Sequence, residues 1–271
     1  GVFQMALDKL SIKEKGSILS LFAGQCYQDP EFLFEPKDGF DDISSLTKYL
    51  NKPLPPTYID VDGAQAYVMS DANDVLIACR GTEPTELNDV KADLNTIRMA
   101  HPDGGKVHQG FYGEYLKVIN DIKKAVAKHN KKGTKKLWIC GHSLGGAMAV
   151  LVAMELKPTG GLYTFGQPRV GNTEFINKID FPYFRYVNNN DVVTSVPPSI
   201  GGIWYKHQGH LRYINMYGNI RKLTPWQRTK DAWRGRWSAL KKFEWFDGAR
   251  DHSMNKYYGY ISKMDDEGES K

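Results

Sequence analysis

The stretch WICGHSLGGAMAV (residues 138–150) passes from an apolar run through Gly141-His142-Ser143-Leu144-Gly145-Gly146 into a second run of small and apolar residues. A strand, a tight glycine turn and a helix are the three parts this pattern predicts, with Ser143 at the turn. Two readings compete for it. In a nucleophile elbow, Gly141 and Gly145 leave room where the turn presses backbone against strand and helix, and the Leu144 N–H faces the developing oxyanion. In the plainer alternative the same glycines form a strand-to-helix turn or a phosphate-binding loop that happens to contain serine. A serine hydroxyl attacks only with a base in reach, so the partners decide.

Strand-like runs lie on either side of this stretch: AQAYVM (64–69), DVLIACRG (74–81), KLWIC (136–140), GLYTFG (161–166) and FRYVN (184–188). Between the second and third, Tyr112, Tyr115, Ile119, Ile122 and Val126 recur at spacings of three and four, the stripe of a crossover helix. The alternation predicts an α/β fold with a mostly parallel central sheet flanked by helices. Farther on, LRYINMYGNIRKL (211–223) reads as two strands turned at Gly218-Asn219, a hairpin near the sheet edge.

Elbow hydrolases place their partners in the order serine, acid, histidine, each on a loop after a strand. Asp191, just beyond FRYVN and ahead of a proline-rich turn, is the candidate acid; Asp180, in NKIDFP, is the weaker rival because it looks like a helix end. The plain reading of Asp191 is a turn aspartate. His252, in a short loop that starts a helix, is the candidate base, against the alternative of an exposed helix-start histidine. His207 and His210 lead into a strand and read as structural or hydrogen-bonding residues.

Composition bounds the rest. The chain has 271 residues, 41% hydrophobic and 25% charged, the balance of a globular domain, and no apolar run reaches the ~18–20 residues of a membrane-spanning helix. Residues 1–271 read as one domain, with a helical, basic, Trp-rich insert at about 224–247 and a frayed acidic tail at 264–271. The net charge is +5, and Arg228, Lys230, Arg234, Arg236, Lys241 and Lys242 against Asp231 account for the same excess. So local a patch suits an anionic surface better than nucleic acid, since no nucleic-acid-binding signature accompanies it. Cys26, Cys79 and Cys140 lack metal-ligand spacing and read as buried free thiols, a weak lean towards a reducing, cytoplasmic setting that leaves a secreted mature form open.

Several segments together resemble the class 3, or fungal-type, lipases of the α/β-hydrolase fold. RGT (80–82) resembles that family's oxyanion segment and VHQGF (107–111) its V-H-x-G-F signature. GHSLGGA (141–147) is similar to its nucleophile motif, FGQPRVGN (165–172) to the following strand and loop, RYVNNNDVV to its acid loop, and DHSMNKY to its closing histidine segment. The resemblance spans roughly residues 57–262. It implies a Ser143, Asp191, His252 triad, an oxyanion hole of the Thr82 and Leu144 N–H groups, and no metal or other cofactor. His108 and His142 sit in family motifs outside the triad and read as structural. Residues 218–250 carry no family motif.

The same resemblance implies a lipid ester substrate, cleaved through an acyl-enzyme. A carboxylesterase or phospholipase A1-type enzyme is the alternative, and a catalytically silent membrane- or partner-binding protein the more remote one. Leu87, Val90, Leu94 and Ile97 share one helical face in the segment following Thr82, where a class 3 lipase carries its lid; a fixed surface helix is the alternative. Trp226, Trp233 and Trp237, continued by Leu240, form a second stripe opposite basic residues. They are candidates for a lipid–water interface, although a tryptophan stripe more often packs into a core, and Gly235 within it favours that plainer reading.

Overall fold

The computed structural model describes residues 6–27, 50–51, 53–80, 97–189, 191, 193–195, 197, 205–215, 217–220, 224–228, 230 and 254–264. Within these, α1 is Ile12–Gln25, followed by β1 Leu54–Val61, β2 Ala64–Ser70 and β3 Asp74–Arg80. A short pair, β4 Arg98–Ala100 and β5 Lys106–His108, leads into α2 Gln109–His129. Then come β6 Lys136–His142, α3 Leu144–Leu156, β7 Gly161–Phe165, α4 Thr173–Ile176, β8 Tyr183–Asn188, β9 His210–Ile214 and α5 Met254–Ile261.

The main sheet runs β1-β2-β3-β6-β7-β8-β9. Its first three strands are antiparallel, and from β3 onward every pairing is parallel. Parallel strands need crossovers, and α2 and α3 supply the first two. In α2 the buried residues Phe111, Tyr112, Tyr115, Val118, Ile119, Ile122 and Ala125 recur at the expected spacing. In α3 all residues from Gly145 to Met154 are buried, so that helix is apolar all round, as a helix enclosed by sheet and helix must be. One core lies between these helices and the sheet; a second, on the opposite face, packs α1 and α5 residues such as Phe22, Tyr257 and Ile261 against Leu76, Trp138 and Phe165.

The expected strands and crossover helix are all present, and the fold is that of an α/β-hydrolase. Several elements lay outside the sequence reading, β1 and α1 among them. β1 carries Pro55 and Pro56, tolerable only because it is an edge strand, and its pairing with β2 shifts register between Leu54 and Thr57. α1 opens with a capping box, in which Ser11 accepts from Glu14 N–H while the Glu14 carboxylate accepts from Ser11 N–H. Of the expected hairpin the described residues show the turn at Gly218, φ +77°, and an antiparallel bridge from Ile214 to Ile220; residues 216 and 221–223 lie outside them.

All three cysteines are buried and free. Burial pushes the Cys26 thiol up to about 12 and raises Cys79 and Cys140 as well, so all three stay protonated. Among the described residues no helix is long and apolar enough to cross a membrane.

Candidate active site

Ser143 lies between β6 and α3 with φ 55° and ψ −130°, backbone angles that a residue with a Cβ adopts only under constraint from its surroundings. The constraint is visible on both sides. Its N–H donates to Phe165 O at the end of β7 (3.0 Å), and its carbonyl accepts from Gly146 N–H (2.9 Å). A serine at a helix N-cap ordinarily bonds the first turn through its side chain, but the Ser143 hydroxyl makes no such bond. The Gly146 and Ala147 N–H groups bond back to Ser143 O, which leaves the Leu144 N–H ahead of them at the positive end of the helix without an intrahelical partner.

Gly141 is required by space. A Cβ there would lie 2.4 Å from Gly145 O, 2.6 Å from Gly145 C and 2.8 Å from Gly146 N, all backbone atoms that no rotamer change can move. Gly141→Ala is expected to destabilise the protein by about 3 kcal/mol, the upper end of ordinary overpacking. Urea unfolding measures this, and an unchanged midpoint would contradict the close packing of the elbow.

Asp191 follows β8 by three residues and is 3% exposed. Its Oδ1 accepts from Val193 N–H (3.0 Å) and its Oδ2 from the Tyr257 hydroxyl (2.5 Å). Tyr257 is fully buried, and the same hydroxyl accepts from Asn188 N–H (3.0 Å). Thus α5, the helix that begins two residues beyond His252, is pinned to the end of β8 and to the acid loop through one phenol. Sequence reasoning assigned Tyr257 no role; its signal was a tyrosine in the first turn of the helix after the candidate base, at the end of DHSMNKY.

β6 and β8 are separated by β7 alone, so their ends lie roughly 10 Å apart at about 4.8 Å per strand, a span that an imidazole between serine and carboxylate can bridge. Both Ser143 and Asp191 are at the C-terminal edge of the parallel strands, where open α/β sheets build their sites. Asp180 precedes β8 and therefore sits at the opposite edge, where it pairs with Lys157 (2.9 Å), whose ammonium holds its carboxyl below the usual carboxylate range. The rival acid is displaced by nearly the length of a strand.

The other described histidines are held by packing and hydrogen bonds. The His108 ring stacks on Phe111 and its Nδ1 caps α2. His142, 1% exposed, places Nδ1 2.9 Å from the Tyr27 hydroxyl and packs edge-on against Tyr257. His207 Nε2 lies 2.7 Å from Thr194 O, and His210 stacks on Phe184. Trp226, the member of the tryptophan stripe that lies within the described residues, is not packed in a core: it is 67% exposed, with the Lys230 ammonium 4.3 Å above its ring. A short helical turn displays it outward, because Thr224 and Gln227 bond each other at its start. Ile97 is 55% exposed, directly before β4. Thr82, Leu87, Val90, Leu94, Trp233, Trp237 and His252 lie outside the described residues.

Residues 76–200 match the family described as Lipase (class 3). A lipase from Rhizomucor miehei is 37% identical over 137 residues, which is 45% of this chain and 37% of that protein. A secreted mono- and diacylglycerol lipase from Malassezia globosa is 41% identical over 124 residues, 42% of this chain and 40% of that protein. The chain therefore spans well under half the length of these relatives. A solved triacylglycerol lipase, described as having a serine protease triad at its catalytic centre, superposes with a TM-score of 0.61 at 29% identity, covering 74% of this chain and 79% of that one.

Proposed function

We propose that this chain, whose residues 76–200 match the class 3 lipases, is a lipase of that fungal-type family, a serine hydrolase that cleaves the carboxylic esters of lipids. The observation that carries this reading is the strained Ser143 at the mouth of the parallel sheet, with a buried carboxylate fixed two strands away at the same edge. In the proposed reaction Ser143 Oγ attacks the ester carbonyl while His252 takes its proton. Asp191 orients the imidazole and stabilises the imidazolium. The Leu144 N–H, at the N-terminus of α3, and the Thr82 N–H hold the oxyanion, a contribution of typically ~2.7–4 kcal/mol per donor. His252 then protonates the leaving alcohol, and water hydrolyses the acyl-enzyme through the same groups.

Ser143 is 1% exposed, so an ester must displace a cover to reach it. This supports a lid bearing Leu87, Val90, Leu94 and Ile97, whose opening would expose an apolar face to lipid. The exposed Trp226, with Lys230 over its ring, supports a peripheral contact with a lipid–water interface. For the compartment, the similarity to a lipase named as secreted runs against the weak cytoplasmic lean drawn from the free thiols. Their complete burial shields them from oxidants in either setting, and a secreted location is the one we propose.

A series of p-nitrophenyl esters of increasing chain length, followed by emulsified triglyceride, tests the substrate class. The expected result is a sharp rise in rate once a long-chain substrate passes its solubility limit. Saturation below that limit would assign the enzyme to soluble esters instead.

Tyr257 is proposed as the residue that positions the acid. Tyr257→Phe removes the hydrogen bonds to Asp191 and from Asn188, and loss of a bond to a charged group costs about 1.5–3 kcal/mol. At ~1.4 kcal/mol per decade, kcat is expected to fall roughly 10- to 100-fold with KM nearly unchanged, and the pH dependence of kcat should shift. A variant with wild-type kcat would remove Tyr257 from the mechanism.

A further inference from the structure

Beneath the turn that follows Asp191 lies a group of cations that has no counter-charge among the described residues. Arg185, in the middle of β8, is 9% exposed, and its Nε has no hydrogen-bond partner. The charged or ionisable groups that act on it are two further cations, Arg169 and Arg228, and the phenols of Tyr183 and Tyr257. Burial pulls the guanidinium down to about 10. His207, just before β9, feels Arg185 and Arg169 in turn, and among the described residues no carboxylate contributes at any of the three. A buried guanidinium without an anion is an unfavourable arrangement that proteins ordinarily complete with a partner.

The hydrogen-bonding capacity left over is specific. Arg169 Nη1 donates to Ser195 O and to Pro197 O, so part of its fork is committed to the acid turn. His207 Nε2 meets Thr194 O at 2.7 Å, and because a carbonyl cannot donate, that nitrogen carries the proton. Burial and the two arginines hold His207 well below the ordinary histidine range, so the ring is neutral and its buried, unpartnered Nδ1 presents a lone pair. Together the three residues therefore offer donors from Arg185 and Arg169 and an acceptor from His207. Chloride and sulfate can satisfy only the donors. A hydrogenphosphate satisfies both, accepting through P–O⁻ oxygens and donating through its P–OH.

We propose that Arg169, Arg185 and His207 form a binding site for inorganic phosphate, which clamps β8, the loop after β7 and the turn beyond Asp191 together. Burial of Arg185 admits a small free ion rather than the diester headgroup of a phospholipid, which also lacks the P–OH that His207 Nδ1 requires.

The test uses the full chain at pH 7.5 with ionic strength held constant by sodium chloride. Calorimetric titration with sodium phosphate is expected to show one saturable site per chain and a rise in Tm, with sodium sulfate binding at least tenfold more weakly and phosphatidylcholine vesicles giving no shift. Arg185→Met is expected to lose the phosphate-dependent rise while unfolding no earlier than the wild type in phosphate-free buffer. A wild-type Tm that responds to phosphate no more than to chloride overturns the site, as does an undiminished rise in Arg185→Met. Equal binding of sulfate overturns the role of His207. Should Arg185→Met fail to fold, a crystal structure of the wild type grown in phosphate decides: tetrahedral density within hydrogen-bonding distance of Arg185 Nε supports the site, and its absence there overturns it.

Discussion

Ser143→Ala is expected to lower kcat for p-nitrophenyl ester hydrolysis by about 10⁶-fold, the scale seen when a triad nucleophile is removed, leaving only what binding and the oxyanion donors contribute. The folded state should survive, because the Ser143 side chain makes no cap bond and its backbone bonds to Phe165 and Gly146 do not involve the hydroxyl. Stability and activity are separable here in a further way. At φ 55° and ψ −130° a residue with a Cβ is strained by ~1–3 kcal/mol, and glycine is not. Ser143→Gly should therefore be as inactive as Ser143→Ala but melt at a higher temperature than the wild type. If both variants keep substantial turnover, the elbow is a structural turn. If Ser143→Gly melts no higher, the strain is carried elsewhere.

Asp191→Asn is expected to cost roughly 10⁴-fold in kcat, with little change in KM. The size follows from the hydrogen bonds. Asp191 offers only acceptors, to Val193 N–H and to the Tyr257 hydroxyl, and on this account also to the imidazole. An asparagine can keep one backbone bond through its oxygen, but its amide then directs a donor at the ring and favours the tautomer that cannot take the Ser143 proton. Asp180→Asn serves as the control. It removes an exposed pair with Lys157 at the far edge of the sheet and should leave turnover unchanged. An inactive Asp180→Asn beside an active Asp191→Asn would reverse the assignment.

The parallel half of the sheet was readable because its strands are buried on both faces and appear as short apolar runs, while glycines mark the turns between them. Ser143 and Asp191 were readable for a related reason: each follows such a run directly, so chain order placed both at one edge. β1 was hidden by Pro55-Pro56, whose tolerance depends on an edge position that only the assembled sheet reveals. Tyr257 was hidden because its role is made by packing. The phenol reaches Asp191 across 66 residues of chain, and a tyrosine in an amphipathic helix reads equally well as core. The cation group at Arg169, Arg185 and His207 is a stronger case. Each residue alone belongs to an ordinary strand or loop, and only burial without a counter-charge distinguishes it. Trp226 departs from the plainer of the two readings of its stripe: helical spacing leaned towards a core position, and the ring is exposed to solvent.

The most direct test of the central claim is covalent. Incubation of the intact chain with a fluorophosphonate ester, followed by peptide mass mapping, is expected to place a single stoichiometric adduct on Ser143, absent from Ser143→Ala and formed far more slowly in Asp191→Asn. An unmodified Ser143 in folded protein, or an adduct at another residue, would contradict it.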